Sequence, residues 1–226
     1  MKRIAVLLAD DHTIVREGLR ALLEAEGDIE VVGEAQTGRQ AVQLSKGLRP
    51  DVVIMDIAMP LLNGLEATRQ IVKAVPTTRV LILSAHGDDE YIRQAVLLGA
   101  AGYLIKQTSA DVLGRAIREV HRGKAFFSPS IAKRLPGLSL ESPDGHPVLK
   151  TKKAGLSSRE VEVLQLIAEG KANKQVAAEL GISIKTVEKH RQHLMSKLDL
   201  HDTAGLTRYA IAAGIIESRV QVTIIQ

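Results

Sequence analysis

The sequence predicts an α/β fold, a doubly wound sheet of five parallel strands, followed by an all-α domain of four helices. Three observations carry this reading. Short apolar runs alternate with amphipathic helical stretches through the first half, four of the seven prolines gather between residues 129 and 147, and only helical patterns follow Leu156. Strands without polar alternation are buried on both faces, which is the condition of a parallel sheet covered by helices.

The elements follow in order. A strand at Ile4–Ala9 leads to a helix at Thr13–Glu26, with Val15, Leu19, Leu22 and Leu23 on one face. Strands at Glu30–Ala35, Val52–Asp56, Val80–Ser84 and Gly102–Ile105 alternate with helices at Gly38–Gly47, Leu65–Val75, Asp88–Leu98 and Ala110–Arg122. Residues 123–153 read as a linker, because Pro129, Pro136, Pro143 and Pro147 are interleaved with Ser and Gly. It holds a short helix at Pro129–Leu135 and ends on Lys150, Lys152 and Lys153. In residues 154–218, Ser157-Ser158-Arg159-Glu160 forms a capping box, with Leu156 and Val161 as its hydrophobic staple. That first helix ends near Gly170. Asn173 caps a short helix to Leu180, Gly181-Ile182-Ser183 turns, and Ser183 caps a third helix, Ile184–Leu198. A fourth runs from Thr203 to Ala213, and residues 219–226 form a tail. A short helix, a glycine turn and a longer basic helix make a helix-turn-helix.

Composition narrows the function. With 45% hydrophobic and 25% charged residues, each domain can bury a core, built from aliphatic side chains because aromatics are 2%. The chain has no cysteine, which excludes disulfides and thiolate metal sites. No apolar run approaches the roughly 18 residues of a membrane span, and the N-terminus enters a strand too soon for a signal peptide. A cytoplasmic protein without membrane partners is expected. Residues 1–123 carry a net charge of −1 and residues 124–226 of +5, so the second half is the one suited to a polyanion.

Four predicted strands end on chemistry: Asp10 and Asp11 after the first, Asp56 at the third, Ser84 at the fourth and Lys106 after the last. In a parallel sheet these ends converge on one crevice. Clustered carboxylates repel unless a cation joins them, and oxygen-only ligands suit Mg2+. With that charge neutralised, Asp56 becomes a nucleophile towards phosphorus, while Lys106 and the Ser84 hydroxyl stabilise phosphoryl oxygens. Asn63-Gly64 after Pro60 makes a turn that brings backbone to the pocket. Taken singly, Asp11 would be a helix cap, Asp56 a turn residue and Lys106 a surface charge. Their joint placement at strand ends favours the functional reading.

The same residues carry a family resemblance. Residues 1–122 resemble a response-regulator receiver domain, a flavodoxin-like fold, through Asp10-Asp11-His12, Asp56-Ile57-Ala58-Met59-Pro60, Asn63-Gly64, Ser84-Ala85 and Gly102-Tyr103-Leu104-Ile105-Lys106. Residues 154–218 resemble the LuxR-type helix-turn-helix through Leu156-Ser157-Ser158-Arg159-Glu160 and Thr186-Val187-Glu188-Lys189-His190. The pairing resembles that of the NarL/FixJ family. The resemblance implies that Asp56 accepts phosphate from a sensor histidine kinase. It also implies that Asp10, Asp11, Asp56 and the Ala58 backbone carbonyl bind Mg2+, and that Ser84, Lys106 and Tyr103 form the switch. Two positions depart from the usual pattern: Gln107 stands where many receivers have proline, and Ala58 offers no polar side chain to the phosphoryl group.

On the helix Ile184–Leu198, Ile184, Val187, Leu194 and Leu198 are expected to face the core. Glu188, Lys189 and Gln192 are the candidates for base edges, and Lys174, Lys185, Thr186, His190, Arg191 and Lys197 for phosphates. His190 and His193 lack companions for a metal site. The helix Thr203–Ala213 resembles the surface by which such domains pair, implying a homodimer on double-stranded promoter DNA when phosphorylated, acting on the transcription machinery. The expected protein is thus a transcription factor and not an enzyme. An aspartate-nucleophile phosphatase, and a DNA binder indifferent to phosphorylation, are the rival readings.

Overall fold

The structure, a computed structural model, describes residues 3–85, 87–135 and 156–216. Residues 136–153 of the expected linker, the expected domain start at 154 and the tail 219–226 therefore lie outside the described residues. The chain divides into two compact units, Met1–Thr151 and Lys152–Gln226.

In the first unit, β1 (Ile4–Ala9), β2 (Ile29–Ala35), β3 (Val52–Met55), β4 (Arg79–Ser84) and β5 (Gly102–Ile105) alternate with α1 (Thr13–Glu24), α2 (Gly38–Leu48), α3 (Gly64–Ala74), α4 (Asp89–Leu97) and α5 (Ala110–His121). A sixth strand, β6 (Phe126–Phe127), and a short helix, α6 (Pro129–Ala132), follow. All pairings are parallel, in the order β2-β1-β3-β4-β5-β6. The chain winds outward from β1 to β2 and then returns to β3 on the other side of β1, so the order reverses at β1 and β3. At the ends of those two strands, Ala9 is the register partner of Met55, and the residues that follow them are Asp10 and Asp56.

Successive strand residues feed opposite faces. Leu7, Val53, Met55, Val80 and Ile82 pack with Ala41, Leu65, Ile71 and Ile92 on one side. Val6, Leu8, Ile54, Leu81 and Leu104 pack with Leu23, Leu113, Ile117 and Val120 on the other. One expected core position differs: Leu22 is exposed, and the buried line of α1 instead runs through Arg16 and Leu23, with Leu19 partly buried against the core.

The sheet has one strand more than the five expected, and the start of the expected linker belongs to the first unit's core. Phe126 and Phe127 pair with Gly102 and Tyr103. A β-carbon at Gly102 would lie 2.3 Å from the Phe126 carbonyl oxygen, so only glycine admits this pairing. The Ser128 N–H donates to the Tyr103 carbonyl at 3.3 Å. Ile131 is fully buried in the cluster that holds Tyr103 and Ile92, and Arg134 Nε donates to Asp89 at 2.6 Å. A two-residue strand is too short to show a period in sequence, which is why composition alone marks this stretch as linker.

The second unit contains α7 (Ser158–Ala168), α8 (Asn173–Leu180), α9 (Ile184–Leu198) and α10 (Thr203–Ala212). The Ser157 capping box is formed: Glu160 N–H donates to Ser157 Oγ at 3.3 Å, and Ser157 N–H to Glu160 Oε2 at 2.8 Å. Asn173 is not the cap of α8 but its first helical residue; the cap is Ala172, whose N–H donates to Gln175 Oε1 at 2.8 Å. Gly181 takes the left-handed φ of +61° that ends α8, and Ser183 Oγ caps α9 by accepting from Thr186 N–H at 3.1 Å. Val187 and Leu194 of α9 are buried, together with Val163, Leu164, Val176, Leu206 and Ala210. Ile184, expected to face the core, is the first residue of α9 and is 44% exposed. No helix of the described residues is long and apolar enough to cross a membrane.

Candidate functional site

The strand ends of the first unit gather the predicted acids. Asp10 and Asp56 are buried and Asp11 is half-buried. One ligand atom from each of Asp10, Asp11, His12 and Asp56 falls within 4.8 Å of the others. Lys106 Nζ lies 2.8 Å from Asp10 Oδ2 and 3.0 Å from Asp56 Oδ2. Its placement follows from the sheet: Lys106 N–H donates to the Ser84 carbonyl at 2.8 Å, continuing the β4–β5 ladder by one residue. His12, not Asp11, holds the N-cap position of α1, and the His12 side chain makes no cap bond.

Burial pushes the Asp56 carboxyl above the usual carboxylate range, and the Asp10 charge adds to this while Lys106 opposes it. Burial works against the Lys106 charge too, but Asp56 and Asp10 outweigh it and hold the ammonium above its ordinary value. The pocket is thus rich in negative charge that one lysine does not neutralise. Carboxylate oxygens crowded at this spacing fit a hard divalent cation. Asp56 has one oxygen, Oδ1, held by the Ile57 N–H at 2.8 Å, and the other on Lys106. Gly64 explains the turn beneath it: a β-carbon there would lie 1.8 Å from the Asp56 carbonyl oxygen. Asn63 Oδ1 caps α3 by accepting from Glu66 N–H at 2.9 Å, and Ala58 is half-buried two residues beyond Asp56.

Ser84 is fully buried at the end of β4, and Tyr103 is fully buried with its hydroxyl hydrogen-bonded to Ser84. Burial pushes the Tyr103 phenol well above its ordinary value, so it stays neutral. The Lys106–Gln107 bond is trans, and no cis peptide occurs among the described residues. Two neighbours of the site have no role in the sequence reading. His12 Nδ1 lies 3.2 Å from Asp10 Oδ1 and 2.9 Å from Asp11 Oδ1, and only its adjacency to the acids signals this. Arg16 reaches the same loop from α1.

In the second unit, Ser183, Lys185, Thr186, Glu188, Lys189, Gln192 and His193 line one shallow groove. Lys174, Lys185, Thr186, Glu188, Lys189 and Gln192 are all exposed. Three of the predicted phosphate contacts have other engagements. Lys197 Nζ donates to Glu160 Oε2 at 2.7 Å, which ties α9 to the capping box of α7. Arg191 Nη2 donates to Thr203 Oγ1 at 2.8 Å. His190 is half-buried, and burial, with Arg159 second, holds its imidazole below the usual histidine range. At neutral pH it offers a hydrogen bond and no charge.

Both units have known relatives. Residues 6–118 match the response regulator receiver domain family, and residues 154–210 match the bacterial regulatory proteins of the luxR family. The transcriptional regulatory protein LiaR of Bacillus subtilis (strain 168) is 41% identical over 207 residues, covering 92% of this chain and 96% of that protein. The solved structure of the Salmonella typhimurium RcsB response regulator is 28% identical with a TM-score of 0.60, covering 94% of this chain and 99% of that one. A structure of two RcsB dimers bound to two parallel DNAs is 27% identical with a TM-score of 0.56, covering 92% of this chain and 98% of that one.

Proposed function

This chain belongs to the response regulators that join a receiver domain to a LuxR-type DNA-binding domain, and we propose that phosphorylation of Asp56 by a sensor histidine kinase controls its grip on promoter DNA. The observation that carries this is the pocket at the β1/β3 reversal, where Asp56 shares Lys106 with Asp10. Asp10, Asp11, Asp56 and the backbone carbonyl of Ala58 would hold Mg2+. When bound, the ion supplies charge neutralisation for a phosphoryl group arriving at a carboxylate.

The chain's own groups do the rest. Asp56 Oδ1 is oriented by the Ile57 amide, which leaves Oδ2, now on Lys106, as the oxygen that attacks phosphorus while the P–N bond to the kinase's phosphohistidine breaks and its imidazole leaves. Lys106 then passes from the carboxylate to a phosphoryl oxygen. The Ser84 hydroxyl turns from Tyr103 to a second phosphoryl oxygen, and the aromatic ring answers that change. A two-state receiver biased this way transmits through the segment that packs on Tyr103. In the second unit, Glu188, Lys189 and Gln192 read base edges, and Lys174, Lys185, Thr186, His190, Arg191 and Lys197 set register on phosphates. We assign the exposed side of α10 to pairing of two copies; the similar RcsB is seen as dimers bound to DNA. We place the receiver at residues 1–122 extended by Phe126–Leu135, the DNA-binding domain at 154–218, and the protein in the cytoplasm with the transcription machinery.

Incubation with Mg2+ and a small phosphodonor, followed by intact-mass measurement, tests the central step. One base-labile phosphoryl group is expected on the wild type and none on Asp56→Asn. Equal labelling of both would refute the assignment of Asp56.

A further inference from the structure

We propose that Arg16 is a positioning residue for the acidic pocket, fixing the peptide that joins Asp10 to Asp11 and so the mutual aim of their carboxylates towards a divalent cation. The inference rests on the reading of that cluster as a cation site and concerns a residue outside it.

Arg16 stands on the buried line of an amphipathic helix, where an aliphatic residue is the ordinary occupant, yet it is only 4% exposed. A guanidinium is expensive to bury unless its donors are satisfied. Its Nη1 donates to the Asp10 backbone carbonyl at 2.8 Å, and its Nε donates to Glu34 Oε2 at 2.9 Å. Glu34 in turn accepts from Arg20 Nε at 2.5 Å, and hydrogen bonds from Arg20 first and Arg16 second hold its carboxyl below the usual range. Arg16 is thus anchored to β2 from one side while gripping the pocket loop from the other.

The bond it grips is the informative one. The Asp10 N–H donates to the Ala35 carbonyl at 3.1 Å, which places the Asp10 α-carbon by the β1–β2 ladder. The carbonyl of Asp10 belongs to the next peptide, whose rotation sets where Asp11 points relative to Asp10. With that carbonyl held, Asp10 Oδ1 accepts the His12 N–H at 2.9 Å and Asp10 Oδ2 meets Lys106. Without Arg16 that peptide loses the side-chain donor that holds it, and two carboxylates that repel each other would drift apart. Groups that orient ligands in this way commonly change metal affinity by about 10–100-fold when removed.

Calorimetric titration of the full chain with Mg2+, together with phosphorylation by a small phosphodonor at graded Mg2+, tests this on wild type, Arg16→Met and Arg16→Lys. Arg16→Met should bind Mg2+ about tenfold or more weakly and need correspondingly more Mg2+ for half-maximal phosphorylation, with the plateau rate kept. Arg16→Lys, whose single ammonium reaches one partner, should recover part of the affinity. Wild-type affinity in either folded variant, or a plateau rate that falls while Mg2+ affinity stays, overturns the assignment. If Arg16→Met does not fold, Arg16→Lys against wild type decides the matter by the same two criteria. A wild type that binds no Mg2+ would instead sink the cation reading of the cluster, which is a distinguishable result.

Discussion

Asp56 carries both the chemistry and a cost. Its carboxyl is pushed upward by burial and by Asp10, so the folded chain retains its proton to higher pH than the unfolded chain does. The stabilising contribution is then complete at low pH and lost as pH rises through the folded-state value. At neutral pH, without divalent cation, ionised Asp56 destabilises the receiver. Asp56→Asn should therefore raise stability there by about 1 kcal/mol, read by urea melts in chelator, with the gain shrinking as pH falls and vanishing below roughly pH 3, where the unfolded carboxyl is also protonated. An Asn variant less stable than wild type at neutral pH would contradict the crowding of charge. At the other site, Lys189→Ala should relax base preference at one position by roughly 1–3 kcal/mol, measured by binding to a panel of single-base variants. A uniform loss across the panel would move Lys189 to the phosphates.

Two helices, α6 and α7, decide how the units hold together internally. Ile131 of α6 is fully buried beside Tyr103, so Ile131→Ala should cost about 2–4 kcal/mol of receiver stability in a urea melt. A mere tether would lose under ~0.5 kcal/mol. In the second unit, Glu160 closes the α7 capping box and accepts from Lys197 of α9. Burial resists its charge, but the hydrogen bonds from Lys197 and Ser157 prevail and hold the carboxyl below the usual range. That stability is present above the ordinary glutamate value and is lost as pH falls through the lowered one. Glu160→Ala should destabilise the second unit by about 1–2 kcal/mol at neutral pH, seen as a lower thermal midpoint of that transition. An unchanged midpoint would show the box and the Lys197 bond to be without weight.

For the whole molecule, what is legible in sequence and what is hidden have physical reasons. The five longer strands, the reversal pocket and the Ser157 and Ser183 caps are legible because period, strand-end chemistry and capping residues are local patterns. β6 is not, since two residues carry no period and its partner is set by Gly102 at a distance. Arg16 looks like a polar residue of an amphipathic helix, because nothing local shows that its donors find Glu34 and the Asp10 carbonyl. The bond from Lys197 to Glu160 is hidden for the same reason: the two lie 37 positions apart. One charge event at Asp56 is proposed to govern both units, and promoter affinity at fixed salt, with and without Mg2+ and beryllofluoride, for wild type and Asp56→Asn is the decisive measurement. The wild type should tighten on DNA, or dimerise on it, only with the phosphoryl mimic present, while Asp56→Asn stays unchanged. Identical affinity and dimer content for the wild type in both states, with the mimic shown to be bound at Asp56, would contradict the account.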